Sequence, residues 1–485
     1  MTGLVAGVGV FLWFALDGGP LASDPELGRH PALAAGVTAL MAIWWLTEAL
    51  PIHWTACVPL IAYPLVRVLP ETRAENLAAA ARPYVNPYIF LFLGGMCIAA
   101  AMQQWGLHRR IALQVMRVVG TEPRRLLLGV LLATAGTSMW ISNTATATMM
   151  VPIGLAVISQ LEARLGGRRL THFGAALMLA IAYAANVGGI GTKIGTAPNA
   201  QFAGFLSQRG TELSFVEFGL VGVGFVVLFL PLVWLVLWRT GRKDAPTADV
   251  GLAVLDEELA ALGPVRRGEW VVLIVFVATA LLWILGKPLT GLLKPWVQGT
   301  TGFALRSAHV EGGTAMLAAL TLGVVRAEGR ATLELRSLTL IPWSTLLLLG
   351  GGFAMAAGVQ GSGLSSQMAE GLAVLAELPA FLQVVGASTT TVGMSAVASN
   401  TATIAVMLNV LAEAVPPETL LTVLFSATLA SSCDFALPAG TPPNAIVFGS
   451  GYLTVPRMAS TGILLDVAAA IFVAIWCWFA VGFVF

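Results

Sequence analysis

Apolar runs long enough to cross a lipid bilayer recur from one end of the chain to the other, and they decide the fold class before any motif is considered. Residues 32–50, 218–237, 270–285 with their flanks, and 463–485 are examples. A run of about 18 apolar residues spans the hydrocarbon core as a helix. Inside lipid the backbone must satisfy its own hydrogen bonds, which leaves the helix as the element such runs form. Composition agrees: the 485 residues are 57% hydrophobic and 11% charged, with a mean hydropathy of +0.84. An ordinary soluble chain carries roughly 25% charged residues. The expected fold class is therefore an all-α polytopic membrane protein, with no room for a sizeable soluble domain.

A net charge of +1 names no partner. The absence of a basic tail, or of a Lys/Arg patch interleaved with aromatics, argues against nucleic acid. Cys57, Cys97, Cys433 and Cys477 stand alone in apolar stretches, without metal spacing or a disulfide framework. They read as small core residues. The run at 4–16 has no preceding basic residue and no small-residue cleavage site, so it reads as a first span or partial span rather than a removed signal peptide.

Apolar runs set against charged gaps give about eleven spans plus two segments that do not cross. Basic residues choose the orientation. One set of loops holds 17 of them, from Arg109 through Arg164, Arg239 and Arg326 to Arg457; the opposite set holds 8, among them Arg29, Arg82, Arg209 and Arg306. The richer set is expected on the cytoplasmic side of the inner membrane, with the N-terminus inside and the C-terminus outside. This alternation works only if segments 124–160 and 380–413 each enter and leave on one side. Both have a polar middle between apolar arms, the pattern of a re-entrant hairpin. Irregular backbone at that depth is tolerated where protein or a water-filled cavity satisfies it. The stretch 239–268 is the one long hydrophilic insert and reads as a cytoplasmic connector, with a surface helix at 249–262.

The two halves repeat. Gly94-Gly95, Gln103, Gly106-Leu107, Ser138 and Ser142-Asn143-Thr144-Ala145-Thr146 recur 257 residues later as Gly351-Gly352, Gln360, Gly363-Leu364, Ser395 and Ser399-Asn400-Thr401-Ala402-Thr403. At an offset of 245, Gly195-Thr196-Ala197-Pro198-Asn199-Ala200 recurs as Gly440-Thr441-Pro442-Pro443-Asn444-Ala445. Matches in one register and one order are not chance. The copies fall on opposite sides of the expected topology, which makes this an inverted repeat. Transporters of that build bind substrate near the midplane, at the repeat interface, on discontinuous helices. Proline removes a backbone donor and clashes with the preceding turn, so the spans at 174–205 and 418–448 should break at 195–198 and 440–443.

Asn, Ser and Thr supply neutral donors and acceptors, and helix N-termini add unpaired N–H groups that suit a carboxylate. Two symmetric tips would hold a small molecule with an anionic group at each end. The same tips carry oxygens for a hard cation. Ser138 and Ser142, four apart, are expected on one face of a helical arm, and Ser395 and Ser399 likewise. With carbonyls freed near Gly195 and Gly440 they would surround Na⁺, offsetting the charge of a dianion that is costly to bury alone. Helix-to-helix glue accounts for one polar cluster but not for a duplicated one.

These residues resemble the divalent anion/sodium symporter family of dicarboxylate, citrate and sulfate carriers. The resemblance rests on Trp45-Leu46-Thr47-Glu48-Ala49-Leu50-Pro51, the two Ser-Asn-Thr tips, Ile194-Gly195-Thr196-Ala197-Pro198-Asn199, and the long stretch from Thr441-Pro442-Pro443-Asn444 to Gly451. It implies a homodimer working by an elevator mechanism, with sodium as coupling ion and C4-dicarboxylates as substrate. It also implies that Asn143, Thr144, Asn400 and Thr401 hold carboxylates, with Thr196, Thr441 and Pro442 lining the site. Ser138, Asn143 and the Gly195 backbone would form one sodium site; Ser395, Asn400 and the Ala398 and Gly440 backbone the other. On this reading, residues 1–85 and 269–340 are scaffold. Residues 86–240 and 341–485 carry the transport elements, and 241–268 joins the halves.

The chain departs from the family in places. Ser395-Ala396 stands where a Thr-Glu pair is common, and Gly440 where Ala is common. Lys193 lies two positions before the first break, and an intramembrane ionisable residue is a functional hypothesis by default. It either replaces a sodium charge, turning a symporter into an exchanger, or it snorkels to the cytoplasmic surface or pairs with a carboxylate such as Asp434. A sulfate or tricarboxylate carrier on the same fold is the other alternative. No nucleophile–base cluster or H-E-x-x-H motif suggests a membrane-embedded enzyme, and no charged selectivity ring suggests a channel.

Overall fold

A computed structural model describes residues 2–17, 28–246 and 252–485. Among these the regular structure is helical, apart from a two-residue antiparallel pairing of Arg326–Ala327 with Arg330–Ala331. Seven helices are long and apolar enough to cross a membrane, and four shorter apolar ones accompany them. The fold class read from the sequence is the one observed.

Local chemistry starts and stops these helices. Thr72 with Glu75 and Ser214 with Glu217 form reciprocal caps that satisfy two orphan N–H groups each. Pro123, Pro417 and Pro442 stand in first turns, where the missing N–H costs nothing. The last helix, Val455–Val484, exposes Ile463, Val467, Ile471, Ile475 and Phe479 at steps of four, while Leu465, Ala469, Val473 and Cys477 are buried. One apolar stripe faces the protein and a second faces outward, as a lipid-facing helix requires. Phe215–Gly241 is built the same way, with Leu220, Val227, Leu228 and Leu235 exposed.

Thr171–Gly189 lies at the centre and is almost wholly buried. It packs on Pro123–Ser138, Asn143–Arg164, Phe215–Gly241 and Pro442–Phe448. Pro87–Trp105 packs along Ser307–Val324, where Gly94 lets the two backbones meet at Ala315. The connector holds a helix at Leu252–Leu262, and residues 249–251 of the expected surface helix lie outside the described residues. Beside the connector, buried Arg110 donates Nε to Glu269 Oε2 at 2.6 Å and Nη2 to Oε1 at 3.1 Å, and Nη1 to the Gly263 carbonyl at 3.0 Å.

Candidate functional site

The two hairpins break at corresponding residues. In the first, Pro123–Ser138 is followed by Asn143–Arg164; in the second, Ala380–Ser395 is followed by Asn400–Ala414. The spans containing the duplicated Gly-Thr-x-Pro-Asn break too, as Thr171–Gly189 then Ala197–Gln208, and as Pro417–Ala430 then Pro442–Phe448. The segments are exchanged between repeats. The second arm of the first hairpin packs on Pro442–Phe448, and the second arm of the second hairpin packs on Ala197–Gln208.

At the first tip Ser138 Oγ lies 2.8 Å from Asn143 Oδ1 and 2.7 Å from the Ala185 carbonyl. At the second, Ser395 Oγ lies 2.9 Å from Asn400 Oδ1 and 2.6 Å from the Ser431 carbonyl. A hydroxyl has one proton to donate, so at each tip the serine can serve only one of its two acceptor oxygens at a time. Such a surplus of acceptors suits a hard cation, and the donor sets fit sodium at both tips. A Cβ at Gly189 would collide with Asn143 Oδ1, so a residue without a side chain is what lets the break approach the tip.

The serine pairs are a correction. Ser138 and Ser395 end their helices, so Ser142 and Ser399 lie beyond the break and not on the same helical face. Ser142 Oγ instead accepts the Ala145 N–H at 3.4 Å as an N-cap, which commits it to the backbone.

The breaks are held by their asparagines. Asn199 Nδ2 donates to the carbonyls of Gly189 at 2.9 Å and Thr192 at 2.6 Å. Asn444 Nδ2 donates to those of Asp434 at 3.2 Å and Leu437 at 3.0 Å. The four carbonyls match in pairs at the offset of 245, so the repeat extends to the geometry of the freed backbone. Gly195 and Gly440 occupy equivalent turns, each donating its N–H at 3.3 Å, to the Thr192 and Leu437 carbonyls respectively. Thr441 Oγ1 caps Asn444 N at 3.3 Å and receives Asn186 Nδ2 at 3.0 Å. Thr196 stands at the equivalent N-cap with its hydroxyl uncommitted to capping. Asn143, Thr196, Asn400 and Thr401 are half-buried, Thr144 and Pro442 exposed, and Thr441 and Ala398 buried. Four helix N-termini therefore begin at these segments, each with a partial positive charge; three offer first-turn N–H groups without a helical partner, whereas Pro442–Phe448 does not, because Pro442 and Pro443 lack an N–H and those of Asn444 and Ala445 bond to Thr441.

Lys193 neither snorkels nor meets Asp434. Its Nζ lies 2.8 Å from Glu311 Oε2, with both side chains fully buried, and it also donates to the Leu213 carbonyl. Glu311 Oε1 accepts the Phe215 N–H at 2.9 Å. The positive charge is matched within the pair and is not available to replace a sodium ion. Glu311 gave no sequence signal because it lies 118 residues away and outside the repeated motifs. Asn186, Asn199 and Asn444 were also absent from the expected site. The last two share the 245 register of the break motif, and that register is the signal that marks them.

A family model, sodium:sulfate symporter transmembrane region, matches residues 23–484. The sodium-dependent dicarboxylate transporter SdcS of Staphylococcus saprophyticus is 35% identical over 494 residues, covering 99% of this chain and 91% of that protein. SdcS of Staphylococcus aureus is 34% identical, covering 98% and 89%. Among solved structures, the YdaH transporter of Alcanivorax borkumensis has a TM-score of 0.55 at 14% identity, covering 92% of this chain and 98% of its own. MtrF of Neisseria gonorrhoeae has the same TM-score and identity, covering 84% of each chain. At that identity these two structures are similar in fold alone.

Proposed function

Since the chain belongs to the sodium:sulfate symporter transmembrane region family, we propose that it carries C4-dicarboxylates such as succinate, malate and fumarate across the cytoplasmic membrane, coupled to sodium. The observation that carries this reading is the duplicated tip, in which a serine hydroxyl lies within hydrogen-bond distance of both an asparagine side-chain oxygen and a main-chain carbonyl. Full-length relatives bear the name sodium-dependent dicarboxylate transporter, which supports both substrate class and coupling ion. Asn143, Thr144, Asn400 and Thr401 would receive the two carboxylates, with Thr196, Thr441 and Pro442 beside them. Sodium supplies charge compensation for the dianion. The chain's own groups do the rest: hydroxyls and amides orient the substrate, and helix N-termini stabilise its carboxylates.

The mechanism in this proposal is an elevator. A transport unit holding both hairpins and both broken spans slides against a scaffold that includes residues 1–85 and 269–340, and the scaffold pairs two copies into a homodimer. The N-terminus is inside and the C-terminus outside, from the basic-residue bias of the loops. Uptake of labelled succinate into proteoliposomes tests the reading. A sodium gradient should drive accumulation above equilibrium. Sodium-independent uptake that requires internal dicarboxylate would overturn symport in favour of exchange.

A further inference from the structure

The second broken span contains a carboxylate that its counterpart lacks. Asp434 stands 245 residues after Gly189, and the two backbone carbonyls are held alike, by Asn444 and Asn199. Asp434 is fully buried, and neither carboxylate oxygen has a hydrogen-bond partner. Its Oδ2 packs against Gly440, where a Cβ would collide with it. The departure at Gly440, glycine where the family commonly has alanine, is thus what makes room for the carboxylate. More unpartnered oxygens belong to the same break and to the asparagines that hold it. Asn186 and Asn444 both donate Nδ2 to the Asp434 carbonyl, and their buried Oδ1 atoms accept nothing; the fully buried Ser432 Oγ is likewise without a partner. Asp466 accepts the N–H of Phe435, the residue after Asp434, at 2.8 Å. No Lys or Arg pairs with either aspartate among the described residues.

A buried carboxylate with no donor and no counter-charge is not a resting arrangement. Oxygen ligands in excess of donors suit a hard monovalent cation, as at the tips, but here the set includes a full negative charge. We propose that Asp434 binds sodium directly, as an anionic ligand at the second break beside Gly440, giving the second repeat a higher cation affinity than the first, which has Gly189 in its place. This rests on the sodium-coupled reading above. It goes beyond that reading in assigning the charge of this one side chain, and in predicting that the two halves hold sodium unequally.

The test uses the purified full-length protein, with sodium chloride exchanged for choline chloride at constant ionic strength. Melting temperature is followed as a function of sodium without substrate. Wild type should be stabilised by sodium. Asp434→Asn, of the same shape, should raise the sodium midpoint at least about tenfold, the factor that 1.4 kcal/mol represents, and should lower the Hill coefficient for sodium in succinate uptake. Gly440→Ala, which pushes a methyl group against the carboxylate, should raise the midpoint in the same direction and provides the reading if Asp434→Asn fails to fold. A wild-type sodium midpoint in both variants would overturn the assignment while leaving sodium coupling intact. A proton-dependent melting temperature that disappears in Asp434→Asn, with the sodium response unchanged, would overturn it in favour of proton binding. A wild type indifferent to sodium in both melting and uptake would overturn this inference and the symport reading together.

Discussion

Replacing Lys193 by methionine removes one half of a fully buried ion pair, and the structure sets the size of the effect. The ammonium lies 2.8 Å from Glu311 Oε2, with both side chains at 0% exposure. Without it, Glu311 keeps one hydrogen bond, from the Phe215 N–H, and no counter-charge. Stranding a buried charge costs about 3–5 kcal/mol. At about 2 °C per kcal/mol for a large chain, the melting temperature in detergent should fall by about 6–10 °C. Pairing Lys193→Met with Glu311→Leu removes both charges, and the double variant should recover most of the loss, because an apolar pair of similar volume is close to neutral. Fluorescence-detected size-exclusion after a temperature ramp measures all three proteins. A single variant as stable as wild type, or a double variant no better than the single, would refute the argument that the pair is matched internally. In the proposed elevator Lys193 moves with the first broken span and Glu311 belongs to the scaffold. The double variant should then also show an altered transport rate at an unchanged sodium midpoint.

Asn143→Ala and Asn400→Ala should each reduce succinate uptake to background while leaving the size-exclusion profile intact; wild-type uptake in both would remove the tips from the site. Ser138→Ala and Ser395→Ala each delete one of three converging oxygens, and should raise the sodium midpoint of uptake several-fold while sparing the maximal rate at saturating sodium. Arg110→Ala strands Glu269 beside the connector and should cost about 3–5 kcal/mol of stability, read as lost folded yield. Arg110→Lys should rescue little of that yield, since one ammonium does not reproduce the two-pronged contact, and full rescue would count against the contact.

The hairpin tips and breaks were legible because the chain states each of them twice. The pentapeptide at Ser142 and Ser399 and the break at Gly195 and Gly440 recur in register, and proline at 198 and 442 disfavours a continuous helix by a rule that needs no tertiary information; Pro152 and Pro231, inside unbroken helices, show that the neighbouring glycines and the repeat were needed beside it. Ser142 shows where one-dimensional spacing stops being informative. A separation of four implies a shared face only while the helix lasts, and the helix ends at Ser138. The partner of Lys193 was out of reach for another reason. Glu311 sits on a helix whose position depends on Pro87–Trp105 and Gly94, a packing contact that leaves no periodic trace in the sequence. Asp434 was visible as a residue but not as an orphan, because the lack of a partner is a property of the folded surroundings.

The exchange of segments between repeats also bears on how the protein is assembled. Asn186 in the first half donates to Thr441 in the second, and Tyr183 donates its hydroxyl to the Phe435 carbonyl at 2.9 Å. Each half thus carries loose ends that only the other half ties. A polypeptide cut within the connector would yield two fragments, each with amide and hydroxyl groups of apolar spans left without their partners, and each a poor resident of lipid alone. During synthesis the first half must wait, partly unsatisfied, until about 250 further residues have been inserted, an interval of roughly 12–50 s at ordinary elongation rates. That waiting period is when a membrane chaperone or a quality-control protease has its opportunity to act on this chain.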